Sequence, residues 1–343
     1  MYACPQGPTI SRDTMHSPNS MAYCSRSKHP VPRHYSFGLW LTSILLFTAA
    51  TTPTTKGCVE GERDALLAFK AGLLKDPSSR LSSWRGRVDC CRWSGVVCDN
   101  RTGHVVELNL QNSDPYNGET SIGATMTSVG SEILGSFTKL TYLNVSWSNF
   151  NGAIPPQLGN LSSLRSLDLN SYGLSTDGLH WLSPVNMLSS LKELQLSDCG
   201  LTDLPSSLSH VNLTELATLD LHGNLFNSTF PNWLWKLHNL SYLDLSSSMF
   251  HGAIPARIGK LTGLRELYLK DNSFSGPMPA EIGLCNGLKR IDNSLTGPVP
   301  IEIGKLSNLI ILSLSNNSLE GTMSELHFAH LTKLSELYLF ENS

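Results

Sequence analysis

Eight cysteines are the first residues in this chain whose type and spacing could carry chemistry. Cys4 and Cys24 precede an apolar run. Cys58, Cys90, Cys91 and Cys98 cluster behind it, and Cys199 and Cys285 stand apart. Four clustered cysteines can form two disulfides, in any of three pairings, or hold a zinc ion. No histidine falls at ligand spacing inside the cluster, so disulfides are expected and no metal site is. His327 and His330 could share a helix face as metal ligands, but a third ligand is missing, and they read as two surface histidines. Gly259-Lys260-Leu261 and Gly304-Lys305-Leu306 look like the end of a phosphate loop, yet Leu stands where Ser or Thr is needed. Asp168, Glu193, Asp220, Asp244, Glu266 and Glu336 could do paired acid–base work. Their recurrence at equivalent places makes them solvated surface groups instead. No catalytic set and no cofactor motif emerges, so a non-enzyme is expected.

The bulk composition agrees. The chain has 343 residues, 40% hydrophobic and only 15% charged, so uncharged Ser, Asn, Thr and Gly must cover much of its surface. Its formal net charge is -3. Without Arg12, Arg26, Lys28, Arg33 and Asp13 of the leading segment, 21 basic residues face 27 acidic ones, and no nucleic-acid partner is expected. Arg33 and His34 precede the apolar stretch from Phe37 to Ala50, with small residues and Pro53 after it. These are the parts of a secretory signal, and the run is short for a membrane span. Residues 1–50 are therefore read as a targeting segment, with Met21 a candidate start and an uncleaved anchor the alternative.

The elements that must position any site come from internal repetition. The pattern L-x-x-L-x-L opens at Leu140, Leu164, Leu191, Leu216, Leu240, Leu264, Leu309 and Leu334, with a degenerate copy at Leu288 and an earlier strand at 105–110. A spacing of about 24 residues predicts a solenoid of the leucine-rich-repeat type. The last two Leu of each copy lie two apart, so both point to one face of a short strand. Stacked strands then make a curved parallel sheet on the concave side, with short helical or 3-10 segments and turns on the convex side: an α/β fold. No repeat can bury its Leu face alone. Past the strand, Asn149, Asn224, Asn272 or Asn317 can bond backbone of its own and adjacent coils, and Cys199 takes that slot in one copy. Cys285 falls in a Leu slot and is expected to be a buried thiol. Gly152, Gly252, Gly276 and Gly297 permit a sharp turn, and Pro155, Pro255, Pro279 and Pro300 set the next bend.

The phrase L-x-G-x-I-P-x-x-L-G-x-L-x-x-L resembles the plant-specific class of leucine-rich repeat. Ahead of it, Ala65, Leu66 and Phe69 at helical spacing, with Trp84 and Trp93, can cover the open end of the coil. The stretch from Cys58 through Glu62-Arg63-Asp64-Ala65-Leu66-Leu67, Ser83-Trp84, Cys90-Cys91-Arg92-Trp93 and Cys98 to Asn100-Arg101-Thr102-Gly103-His104-Val105 is similar to the N-terminal cap of plant leucine-rich-repeat receptor-like proteins. That group has members that sense fungal proteins. The resemblance covers about 58–343 and implies a disulfide-bonded helical cap at 51–104, with Cys58–Cys90 and Cys91–Cys98 pairs. After the cap, a first strand and an irregular loop are expected at 105–139, and about nine repeats at 140–343. Three departures stand out. Residues 111–139 lack a clear repeat and read as a loop. About three residues are missing after Asp292, which should remove most of one strand. The chain stops inside a repeat, which looks like a truncated product.

Alternation predicts one outward concave face carrying Tyr142, Asn144, Ser146, Ser166, Asp168, Asn170, Glu193, Gln195, Thr218, Asp220, His222, Tyr242, Asp244, Glu266, Tyr268, Lys270, Glu336 and Tyr338. From these, Tyr142, Asp168, Glu193, Asp220, His222, Tyr242, Asp244, Glu266, Tyr268 and Lys270 are the candidate ligand contacts, since tyrosine in an acidic setting suits a polypeptide. N-x-S/T acceptors occur at Asn100, Asn144, Asn160, Asn212, Asn227, Asn239 and Asn316. A glycan on Asn144 would block part of the concave face. The resemblance implies an extracellular binding ectodomain in defence or peptide perception, secreted or held at the plasma membrane. Its partners would be a protein, peptide or glycan ligand and, in a full-length form, a co-receptor kinase. The alternative is a soluble inhibitor resembling the polygalacturonase-inhibiting proteins.

Overall fold

A computed structural model describes residues 56–73, 76, 79–112, 124–125, 134–148, 150–170, 181–202, 204–292, 295–315, 317–340 and 342. All of them lie in one compact unit, Pro53–Ser343. The expected targeting segment, 1–50, lies outside the described residues.

The unit starts with a cap. Helix α1, Glu60–Ala71, has Glu60 and Glu62 in its first turn and Lys70 in its last, which suits the helix dipole. Leu66 and Phe69, three apart, are buried on its inner side. Phe69 leans on Trp84 and Trp84 stacks on Trp93, with ring centroids 6.2 and 5.4 Å apart. Disulfides join Cys58 to Cys90 and Cys91 to Cys98, so none of the four thiols is left to ligate a metal. Between the bridges, Asp89 accepts from the Cys58 and Cys91 N–H groups at 2.9 and 3.1 Å. Glu62 is buried, at 2% exposure. Its carboxylate binds His104 Nδ1 at 2.9 Å and the Val105 N–H at 2.7 Å, which ties α1 to the first coil.

Eleven strands form one sheet. They are β1 (Val96–Cys98), β2 (Val105–Asn109), β4 (Tyr142–Asn144), β6 (Ser166–Asp168), β7 (Glu193–Gln195), β8 (Thr218–Asp220), β9 (Tyr242–Asp244), β11 (Glu266–Tyr268), β13 (Arg290–Asp292), β15 (Ile311–Ser313) and β17 (Glu336–Tyr338). Two-residue strands pair on the outer side: β3 (Ala124–Thr125) with β5 (Phe150–Asn151), β10 (His251–Gly252) with β12 (Ser273–Phe274), and β14 (Thr296–Gly297) with β16 (Ser318–Leu319). Only β1–β2 is antiparallel; it closes the sheet against the cap. Every later pair in the main sheet is parallel.

Register shows why. Leu143, Leu167, Leu194, Leu219, Leu243 and Leu267 pair directly, rung on rung, and all are buried. A slip of one residue would turn each Leu outward, so the pattern admits one register. Truncating one of them to Ala should cost roughly 2–5 kcal/mol. Behind this ladder runs an aromatic spine that the L-x-x-L pattern does not announce. Phe226, Phe250 and Phe274 occupy one slot of successive coils, with centroids 5.7 and 6.1 Å apart.

The polar ladder departs from expectation in one place. Asn224 is buried; its amide donates to Leu196, Leu221 and His222 carbonyls at 2.8, 2.8 and 3.2 Å and accepts from the Leu201 N–H at 3.0 Å. Asn272 does the same with Leu245, Leu269 and Lys270. In two coils serine fills the slot: Ser148 bonds Leu110 and Ser146 carbonyls, and Ser248 bonds those of Leu221 and Ser246. Asn149 lies outside the described residues and is one position too late to fill it. Cys199 is buried in the same slot and donates to Leu169 O at 3.3 Å. Cys285 is buried in its Leu slot, and burial pushes its thiol up to about 11.

On the convex side, Pro155, Pro255, Pro279 and Pro300 each stand at the N-cap of a five-residue 3-10 helix. Pro fixes φ there and lacks only an N–H that has no helical partner. A Cβ on Gly259 would sit 2.9 Å from Glu281 O of the next coil, so the Gly before Lys260 is required by coil packing and forms no phosphate loop. His327 is buried, not superficial. It closes a capping box with Ser324 and reaches Val299 O at 3.0 Å through Nε2, whereas His330 is exposed.

Two further expectations need correction. Residues 111–139 are not only a loop, because β3 and a 3-10 turn at Leu134–Ser136 complete a coil there. The shortened repeat keeps its strand: β13 pairs in register with β11 and β15 over all three residues. The deletion falls just past the strand, after Asp292. Leu295 is buried, and its N–H is held by Asn317 Oδ1 of the next coil.

Candidate ligand-binding face

The concave surface is built from the outward residues of the strands. Parallel neighbours lie about 4.8 Å apart, so side chains on successive rungs touch. Tyr142, Ser166, Glu193, Thr218, Tyr242 and Glu266 form the first row. Asn144, Asp168, Gln195, Asp220, Asp244 and Tyr268 form the second. His222 and Lys270 follow just past their strands. All ten candidate contacts therefore share one face, flanked by β13, β15 and β17 with Glu336 and Tyr338 on its last described rung.

Three residues expected there are not available to a ligand. Asn144, Ser146 and Asn170 are buried. Asn144 Oδ1 accepts from the Ser146 N–H at 2.9 Å and its amide donates to Tyr142 OH at 3.1 Å. The buried side chain leaves no room for a glycan on Nδ2, which argues against a blocking glycan on the folded face. The Asp residues are also more than solvated groups. Asp168, Asp220 and Asp244 each accept the N–H two residues on, at 3.1, 3.0 and 2.9 Å, turning the chain as it leaves the strand.

Electrostatics concentrate at the centre. Burial pushes the Asp220 carboxyl up to about 6; the Asp244 charge adds to this and the His222 N–H opposes it. Burial likewise raises Asp168. Tyr242 and Tyr268 pack with centroids 5.4 Å apart at 44°. Tyr242 OH donates to Asp244 Oδ2 at 3.3 Å, and Tyr268 OH to Glu266 Oε2 at 2.8 Å. Burial first, then Asp244 and Asp220, hold the Tyr242 phenol well above its ordinary value, so it stays a donor. The result is a partly desolvated aromatic pair braced by carboxylates. Glu193 is exposed and takes the Ser166 hydroxyl at 3.0 Å. Lys270 is exposed, 3.9 Å from Asp271, a pair worth little in solvent. His222 Nδ1 meets Ser246 Oγ at 3.0 Å.

A leucine rich repeat N-terminal domain matches residues 59–99, and a leucine-rich repeat region matches 144–292. The chain is a leucine-rich-repeat protein. Its cap and repeats are of the plant receptor-like kind. Receptor-like protein EIX1 of Solanum lycopersicum is 35% identical over 236 residues, covering 52% of this chain and 23% of that one. The solved ectodomain of the Arabidopsis thaliana receptor kinase GASSHO1/SCHENGEN3, in complex with CASPARIAN STRIP INTEGRITY FACTOR 2, superposes with a TM-score of 0.64 at 26% identity, over 82% of this chain and 35% of that one. The Arabidopsis receptor kinase HAESA, with the peptide hormone IDA and the co-receptor SERK1, gives 0.59 at 26% identity, over 83% and 42%. The chain thus spans about a quarter of the length of the two tomato receptor-like relatives it matches, EIX1 and EIX2. No helix among the described residues of this leucine-rich-repeat protein is long and apolar enough to cross a membrane.

Reading outward residues strand by strand missed one row. The residue ahead of each strand is Thr141, Arg165, Lys192, Ala217, Ser241, Arg265, Lys289, Ile310 or Ser335, joined by a continuous N–H to O ladder. It carries four cations and no acid. The signal was present in L-R-S-L, L-K-E-L, L-R-E-L and L-K-R-I.

Proposed function

We propose that this chain is the extracellular ligand-binding part of a plant receptor-like protein and takes a peptide along its concave face. The Tyr242–Tyr268 pair carries the reading: a central, half-buried aromatic cluster beside desolvated carboxylates is what anchors a polypeptide. The likeness to receptor ectodomains solved with peptide ligands supports it. A co-receptor kinase is the partner for signalling, as one of those complexes contains one. The role is binding and not catalysis, because Asp220 and Asp244 are committed to backbone N–H groups and are not poised around a reacting atom. A secreted or membrane-held location fits two disulfides in the cap. The test is a panel of synthetic extracellular peptides against the purified chain and its Tyr242→Ala and Tyr268→Ala variants. Each substitution should weaken a bound peptide by roughly 1–3 kcal/mol. Retention by both variants, with loss on Arg257→Ala of the convex side, would place the site elsewhere.

A further inference from the structure

On the flank of the solenoid, where the cap meets the first coils, lies a cleft of about 400 Å³. Arg101, Lys139, Arg165 and His104 line one part of it. No carboxylate pairs with Arg101, Lys139 or Arg165 among the described residues. The acid in the lining is Asp99. Its Oδ1 accepts from the Thr102 hydroxyl and N–H, at 2.9 and 2.8 Å, and from the Arg101 N–H at 3.1 Å; these bonds, with the Arg101 charge, lower its pKa. With Asp99 the one carboxylate among them and drawn to Arg101, the three cations leave the cleft net positive, and an anion would relieve their repulsion.

The rest of the lining says what kind of anion. Thr141, Ser162, Ser163 and Ser190 contribute hydroxyls, and Val106 is the apolar member. Thr141 and Ser163 give their protons to Val106 and Thr138 carbonyls, at 2.9 and 3.1 Å, so their free lone pairs face outward as acceptors. A peptide would find neither an apolar pocket nor free backbone, since the Val106, Thr141 and Arg165 carbonyls are bonded to the next coils. A sugar carrying acid groups offers what matches: oxyanions for the guanidinium forks and hydroxyl donors for the Ser and Thr oxygens. Beyond the cleft, Lys192 sits on the next rung, so a longer chain would continue to meet positive charge.

We propose that this cap-side cleft binds an acidic oligosaccharide, through Arg101, Lys139 and Arg165, independently of the concave face. Asn100 and Asn160, both exposed acceptors, border it, so the secreted chain is assayed after enzymatic removal of N-glycans. The probes are a galacturonate decamer, a sulfated glucan decamer, a neutral glucan decamer and hexaglutamate. Saturable binding of either acidic sugar, weakening as salt rises, is expected, and the two arms tell carboxylate from sulfate. The variant Arg101→Gln/Lys139→Gln/Arg165→Gln should lose at least tenfold, and Arg165→Gln alone a measurable part. Arg265→Gln/Lys289→Gln, farther along the same flank, should stay within twofold, as should Tyr242→Ala. Thermal melts confirm folding of these surface variants. Equal binding of neutral sugar, tighter binding of hexaglutamate, or equal loss in the far pair overturns the proposal.

Discussion

Replacing Asn224 probes how the coils are joined. Its amide serves backbone groups of neighbouring coils: Leu196 O of the coil before, Leu221 and His222 O of its own, and the Leu201 N–H. The side chain is 0% exposed, so water cannot replace what is lost. In Asn224→Ala at least two of these groups, Leu201 N and Leu196 O, lose their partner inside the protein. Each stranded group costs about 1–3 kcal/mol, giving roughly 2–6 kcal/mol for the two. Asn224→Ser should cost about half as much, because Ser148 and Ser248 hold the same slot with one hydroxyl bonded to two carbonyls. Asn224→Asp should be worst at pH 7. A carboxylate there would face three carbonyls, and its folded-state pKa would be raised, so the variant regains stability as the pH falls and the acid protonates. Urea unfolding followed by far-UV circular dichroism gives the order, with hydrogen exchange as a check because solenoids can unfold in parts. An Ala variant within 1 kcal/mol of the parent, or one at least as stable as the Ser variant, would refute the idea that this amide joins the coils.

Asp220 has a folded-state pKa of about 6, raised from 3.8, so its contribution should be lost as pH rises from about 4 through 6. Asp220→Asn, which keeps the acceptor for the His222 N–H, should raise the urea midpoint at pH 7 and leave it unchanged at pH 4; equal shifts at both would count against the burial argument. Glycopeptide mapping of the secreted chain should find Asn144 unmodified and sugar at exposed acceptors among Asn100, Asn160, Asn212, Asn227 and Asn239, whereas a glycan on Asn144 would contradict its buried bonds. Asn316 lies outside the described residues. Amides of the β13 strand should exchange as slowly as those of β11, since both pair on either side; faster exchange at 290–292 would restore the broken-strand expectation.

The repeat architecture was legible because it is written locally. Leu at a fixed spacing can be buried in one register only, and Pro and Gly act on the backbone of their own residue, so strand, turn and coil order followed from periodicity. The cap was legible for the same reason, with Leu66 and Phe69 on one side of a short helix. The concave face was legible through alternation, which brought all ten candidate contacts together. What alternation could not decide is depth. Asn144, Ser146 and Asn170 have the outward parity of Asp168 and Tyr242, yet neighbouring coils bury them. The raised pKa of Asp220 comes first from its burial in the stacked coils, with smaller additions from Asp244 and Asp168, 24 and 52 positions away. A missing triplet after Asp292 read as a lost strand because sequence alone does not say that the paired segment ends at Asp292, ahead of the gap. The cap-side cleft was hidden most completely. Arg101, Lys139 and Arg165 sit in three different segments, and only the superhelical stacking of cap, first coil and second coil brings their charges to one place, with Asp99 the one carboxylate in the lining.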